Sequence, residues 1–205
     1  MLDPDALNGR SLVDGLKEAA GAGARLFQYR DKAASAKNAY RRATKLQQAA
    51  ADVGALFLVN DRCDLALAIG ADGVHLGQDD LPLPPARVIM GPDRLIGIST
   101  HTATQVIEAT SQGADYLGVG PIFATTTKPD HEPVVGVDGL AMITRLTPLR
   151  IFAIGGIRPE TVESVIKAGA HGVAVISAIW NASDVAAEVE RFIGRLRTSN
   201  PPVRQ

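Results

Sequence analysis

Two hydrophobic rhythms alternate along the chain. Short apolar runs near 25–30, 55–60, 73–77, 95–99, 115–120, 150–155 and 172–177 have the length and composition of strands. Between them apolar residues recur every three or four positions, which predicts helices at 11–21, 37–52, 84–90, 102–112, 138–146, 159–168 and 183–197, with a short one at 62–69. Strands that alternate with helices imply a parallel sheet. A loose repeat marks the same order: Gly23-Ala24-Arg25-Leu26, Gly70-Ala71-Asp72-Gly73-Val74, Gly113-Ala114-Asp115-Tyr116-Leu117 and Gly169-Ala170-His171-Gly172-Val173 each end a helical pattern and open a strand.

Eight helices against seven strands fit a (β/α)8 barrel, a TIM barrel, that lacks or shortens its first strand. Only Met1 and Leu2 precede Asp3-Pro4, so two strand edges are expected to want a partner. A doubly wound open sheet competes, but no Gly-x-Gly-x-x-Gly turn follows an early strand. With 205 residues, 46% hydrophobic and 21% charged, the chain can bury a large core and reads as one domain over 1–205. Its 21 basic and 22 acidic residues leave a formal charge of −1, so neither nucleic acid nor an anionic membrane surface is expected as a partner. No apolar stretch approaches the roughly 20 residues of a membrane span, and no cationic flank with an apolar region opens the chain, which makes the cytoplasm the expected compartment. The sole cysteine, Cys63, excludes intrachain disulfides and thiolate metal centres and reads as a packing residue. Whether the chain forms a homo-oligomer is left open.

In a barrel of this kind the strand C-termini carry the chemistry. Leu26-Phe27-Gln28-Tyr29-Arg30-Asp31-Lys32 sets Gln28, Arg30 and Lys32 on one face and Phe27 and Tyr29 on the other, which suits an anionic ligand; the plainer reading is an amphipathic edge strand with a wet face. Asn60-Asp61, Gln78-Asp79-Asp80, and Ser99 with His101 close the following strands. Asp61 and Asp80, from neighbouring ends, could hold one hard divalent cation such as magnesium, with waters and ligand phosphate completing an octahedron. Each aspartate could instead cap a helix, a role that fits Asp79 better than Asp80. The segment from Gly120 to His131 reads as a ligand-binding loop or a solvated excursion. Gly155-Gly156 and Ile176-Ser177 match the phosphate cradle of such barrels. His75 reads as a hydrogen-bonded core residue, His131 and His171 as surface residues, and Trp180 as packing.

Taken together, Gln28-Tyr29-Arg30-Asp31-Lys32, Asn60-Asp61, His75-Leu76-Gly77-Gln78-Asp79-Asp80, Ser99-Thr100-His101, Gly118-Val119-Gly120-Pro121-Ile122-Phe123 with Thr125-Thr126-Thr127-Lys128, Ile154-Gly155-Gly156-Ile157 and Ile176-Ser177 resemble the thiamine phosphate synthase family over nearly the whole chain. The resemblance implies joining of 4-amino-2-methyl-5-hydroxymethylpyrimidine diphosphate to a thiazole phosphate, with release of diphosphate, and of carbon dioxide when the thiazole carries a carboxylate. It implies that Gln28, Arg30 and Lys32 bind the pyrimidine diphosphate, Asn60 its diphosphate, and Asp61 and Asp80 magnesium, with Ser99 and Lys128 completing that site. Thr125 and Thr127 would hold the thiazole, and Gly156, Ile176 and Ser177 its phosphate. Arg30, Lys32 and Lys128 would neutralise the departing diphosphate, so no protein nucleophile is called for. Ala124 stands where the family often has proline. A related thiazole tautomerase, or a non-catalytic phosphate-binding paralogue, would need the cradle without the pyrimidine and metal set.

Overall fold

The computed structural model describes residues 1–7, 9–125 and 132–199. Seven parallel strands pair in sequence order: β1 (Leu26–Tyr29), β2 (Leu56–Asn60), β3 (Gly73–Leu76), β4 (Leu95–Thr100), β5 (Tyr116–Val119), β6 (Arg150–Ile154) and β7 (Gly172–Ala174). Helices separate them: α1 (Leu12–Gly21) before β1, then α2 (Ala36–Asp52), α3 (Cys63–Ala68), α4 (Leu83–Met90), α5 (Ala103–Ser111), α6 (Gly136–Ile143) and α7 (Val162–Lys167), with α8 (Ser177–Trp180) and α9 (Val185–Ser199) at the end. This is a TIM-like curled sheet wrapped by helices, as the alternation predicted.

Strand parity sorts the side chains. Phe27, Tyr29, Phe57, Val59, Val74, Leu76, Ile96, Leu117, Val119, Ile151 and Ala153 point outward and are buried under the helices. The opposite parity carries Gln28, Asn60, His75 and Ser99 toward the barrel interior, aligned by the pairs Gln28 with Leu58, Asn60 with His75, and Ser99 with Gly118. Apolar burial therefore fixes the register that lines up the polar residues, because a slip of one position would exchange the two sets.

Ahead of β1 a single bridge stands beside the sheet. Leu2 bridges Tyr29 in parallel, its N–H donating to the Gln28 carbonyl at 2.7 Å while its own carbonyl accepts from Arg30 at 2.9 Å. On the other side the Met1 amine donates to the Val175 carbonyl at 2.8 Å, and the Trp180 indole N–H donates to the Met1 carbonyl at 2.7 Å. Leu2 thus makes an isolated bridge outside the seven strands, and the edges expected to stand open are partly paired through it and Met1. Trp180 is buried, as a packing residue should be.

Three predicted elements are cut differently. The last strand ends at Ala174 instead of running to 177, since residues 175 and 176 leave the sheet and Ser177–Trp180 makes the unpredicted helix α8. Predicted helix 159–168 divides into a 3-10 turn, Pro159–Thr161, and α7, while 138–146 divides into α6 and a 3-10 turn at Thr144–Leu146. No helix among the described residues is long and apolar enough to cross a membrane.

Candidate active site

The polar residues that end β1 to β4 meet at the strand C-termini. Gln28 on β1 donates through Nε2 to Asn60 Oδ1 at 2.9 Å, tying the first two strand ends together. Two residues on, the Arg30 guanidinium donates to Asp3 Oδ2 at 2.5 Å, and Asp3 Oδ1 accepts the Asp5 N–H at 3.0 Å. The Asp3 side chain is only 7% exposed, so it supplies a fixed counter-charge that holds Arg30 at the rim. Lys32 is freer, 62% exposed, with Nζ 3.6 Å from Asp61 Oδ2.

Asp61 and Asp80 come together as expected, their carboxyl groups within hydrogen-bonding reach of each other. Burial, and then the adjacent Asp80 carboxyl, push the Asp61 pKa up to about 6, with Lys32 offsetting only part of the effect. Asp61 is also the only non-glycine among the described residues with positive φ, at 65°, a conformation that costs energy unless its surroundings impose it. Its N–H donates to the His75 carbonyl at 2.8 Å, and Asp80 Oδ2 accepts the Gly77 N–H at 2.6 Å. Helix capping does not explain either residue: α3 is capped by Arg62 and α4 by Pro82, both without a side-chain bond. The better fit of Asp79 to a cap fails likewise, because α4 begins three residues too late for it. Two oxygen-donor carboxylates held close with incomplete cationic compensation suit a hard cation that keeps waters and takes further oxygens from a phosphate ligand. Among the described residues no group of three or more His, Cys, Asp or Glu side chains could hold a metal ion.

Beneath this rim His75 is enclosed. Its Nδ1 lies 2.9 Å from Tyr116 Oη and its Nε2 2.9 Å from Ser99 Oγ, and burial lowers its pKa to about 4, so it is neutral. The core reading of His75 holds, yet its partner is a candidate substrate-binding residue. Gln78 donates through Nε2 to the Ser99 carbonyl at 2.6 Å, and the His101 imidazole meets the Gly120 carbonyl. Cys63 is buried and His171 exposed, as expected.

The loop after β5 lies along β6. Ile122 N–H donates to the Ile154 carbonyl at 2.9 Å and Phe123 N–H to the Gly155 carbonyl at 3.0 Å, which lays Phe123 and Ala124, just ahead of Thr125, against the Gly155-Gly156 turn. Ile176 and Ser177 follow the neighbouring strand β7, so both halves of the expected cradle stand at adjacent strand ends. Thr127, Lys128 and His131 lie outside the described residues. Asp3 and Tyr116 were not among the expected site residues. In the sequence Asp3 figured only as the position that Met1 and Leu2 precede, and the signal for Tyr116 lay in the inward-facing glycines opposite it.

The family model described as "Thiamine monophosphate synthase" matches residues 2–179. A thiamine-phosphate synthase of Syntrophomonas wolfei is 42% identical over 190 residues, 93% of this chain and 91% of the relative. One from Chloroflexus aurantiacus is 45% identical over 190 residues, 93% of this chain and 88% of the relative. Among solved structures, thiamine phosphate pyrophosphorylase from Pyrococcus furiosus superposes with a TM-score of 0.87 at 36% identity, covering 96% of this chain and 94% of that one.

Proposed function

The chain belongs to the thiamine monophosphate synthase family, and from that premise we infer how its own residues make thiamine phosphate. The substrates are a pyrimidine methyl diphosphate and a thiazole phosphate, with or without a carboxylate on the thiazole. In the reaction the bond from the pyrimidine methylene carbon to the diphosphate oxygen breaks, and its electron pair leaves with diphosphate. The electron-rich aminopyrimidine stabilises the resulting benzyl-like cation, and the thiazole nitrogen lone pair forms the new C–N bond. The protein's task is to orient two rings and to stabilise charge on the leaving group.

Each residue has a part in that task. Asn60, held by Gln28, offers its amide N–H groups to the diphosphate, and Gln28 and Ser99 line the pyrimidine pocket. Arg30, its direction set by Asp3, and Lys32 neutralise charge on the departing group, with Lys128 from the loop after β5. Asp61 and Asp80 would hold magnesium, which when bound supplies further positive charge against the diphosphate. Thr125 and Thr127 contact the thiazole, whose phosphate rests on the backbone of Gly156, Ile176 and Ser177. The lone buried thiol and the small soluble substrates support a cytoplasmic setting for this chemistry.

One observation carries the reading over a thiazole tautomerase or a silent phosphate-binding paralogue. Arg30, Lys32, Asn60 and the Asp61–Asp80 pair share one rim on β1 to β3, a set that proton transfer on a thiazole phosphate does not need. Incubating the purified chain with both substrates should give thiamine phosphate and diphosphate, dependent on magnesium. Asp80→Ala should lose more than about a hundredfold in rate while keeping the wild-type circular dichroism. Product formed by that variant at the wild-type rate and with unchanged metal dependence would overturn the metal assignment. Isomerised thiazole without coupled product would favour the tautomerase.

A further inference from the structure

The barrel interior holds an aromatic column that the functional reading has not used. Tyr116 packs edge-on against Phe152, centroids 5.5 Å apart with planes at 87°, and lies 5.5 Å from the His75 ring. Glycines make room for it. A Cβ at Gly97 would fall 2.0 Å from Tyr116 Cζ, one at Gly118 would come 3.1 Å from His75 Cε1, and one at Gly172 would reach Phe152 at 3.0 Å. The phenol and imidazole are therefore packed into a fixed relation. Tyr116 Oη, His75 and Ser99 Oγ form one chain of two 2.9 Å contacts that runs from the closed interior to the substrate rim.

We propose that Tyr116 and His75 form a buried relay that aims the Ser99 hydroxyl proton outward, as a donor to the bound pyrimidine diphosphate. A neutral imidazole has one N–H and one lone pair, so the partner of one nitrogen sets the role of the other. Burial keeps the Tyr116 phenol protonated, its pKa raised above the ordinary value. A phenol proton in the interior requires an acceptor, and the Nδ1 lone pair faces it at 2.9 Å. The imidazole proton then sits on Nε2 and is donated to Ser99 Oγ. Ser99 accepts from below, which leaves its own proton for an acceptor above. The opposite tautomer would make Ser99 donate into the imidazole and present only lone pairs to an anion, which would repel it. His75 and Tyr116 are positioning residues, since only Ser99 meets the ligand. The inference rests on the synthase reading for the identity of that ligand, but the tautomer does not.

Two measurements on the full chain test it. Tautomer-sensitive 15N NMR of the ligand-free protein should find His75 as the Nε2–H form, with mixed tautomers in Tyr116→Phe. Steady-state coupling should show Tyr116→Phe lowering kcat about tenfold, the effect of one neutral hydrogen bond, and lowering it by less than twofold in a Ser99→Ala background. His75→Gln, whose amide can still donate near Ser99, should keep more kcat than His75→Leu at equal melting temperature. An Nδ1–H tautomer in the wild type overturns the relay, as does a Tyr116→Phe loss of equal size with and without Ser99. A wild-type protein that forms no product overturns the synthase reading instead, and the NMR result still decides the direction of the relay.

Discussion

Replacing Leu2 by alanine probes whether two residues can stand in for a strand. Leu2 is completely buried, and its two backbone bonds to β1 do not involve the side chain. The substitution therefore removes apolar packing and leaves the ladder in place. Loss of three carbon atoms from a buried site costs roughly 2.4 kcal/mol in transfer free energy, and the residual cavity brings the total to about 3 kcal/mol. At about 2.1 cal/mol/K of unfolding entropy per residue, a chain of 205 residues converts that loss into a melting temperature lower by about 7 °C. Leu26→Ala serves as the comparison. It has the same chemistry on an adjacent strand, but Leu26 is 39% exposed and the drop should be less than half as large. Differential scanning calorimetry of the three proteins at one pH decides the matter. A fall of under 2 °C for Leu2→Ala, or equal falls for both variants, would show that the segment merely lies across the seam and does not close it.

The remaining predictions concern the rim. Because the Asp61 pKa is raised from an ordinary value of about 4 to about 6, the metal-free folded protein keeps a proton that the unfolded chain has released. The stability this contributes is present below about pH 4 and is lost as the pH rises through 6. A cation competes with that proton, so the rise in melting temperature caused by magnesium should be small at pH 5 and several degrees at pH 7.5; a pH-independent rise would remove Asp61 from the site. At Gly156, with φ of 64°, an added Cβ would fall 2.5 Å from the Ala124 carbonyl oxygen. Gly156→Ala should thus cost about 2–4 kcal/mol in urea unfolding and weaken thiazole phosphate binding by calorimetry more than pyrimidine diphosphate binding. The reverse order of effects would move the cradle elsewhere.

Sequence reasoning reached the strands and most of the rim because both are periodic: burial of Phe27 and Tyr29 on one face dictates where Gln28 and Arg30 must point. It failed where the outcome depends on a distant partner. Val173, Val175 and Ile176 all favour extended backbone, yet β7 stops at Ala174, where its pairing with β6 ends. Asp3 carried no local signal of its role because its partner Arg30 is 27 positions away. His75 was legible as a core residue, but not as a link between Tyr116 and Ser99, since nothing local in Val74-His75-Leu76 names either one. Inward glycines at 97 and 118 were the available signal, for a glycine in a strand often marks the close approach of another group.

The recurring Gly-Ala step has the same geometry each time. Gly23, Gly70, Gly113 and Gly169 all take positive φ, and the following alanine N–H reaches back five residues, to Ala19, Ala66, Ala109 and Val165. Gly54-Ala55 does the same before β2, reaching Ala50, a fifth copy that sequence reading did not find. These Schellman closures all sit where a helix hands over to a strand, at the end of the barrel opposite the reactive rim. The part of the chain that repeats is thus the part that folds it, and the residues proposed to act on substrates occur once each. Evolution or a protein engineer can accordingly rewrite the rim loops for another pair of phosphorylated substrates while the repeated turns stay untouched.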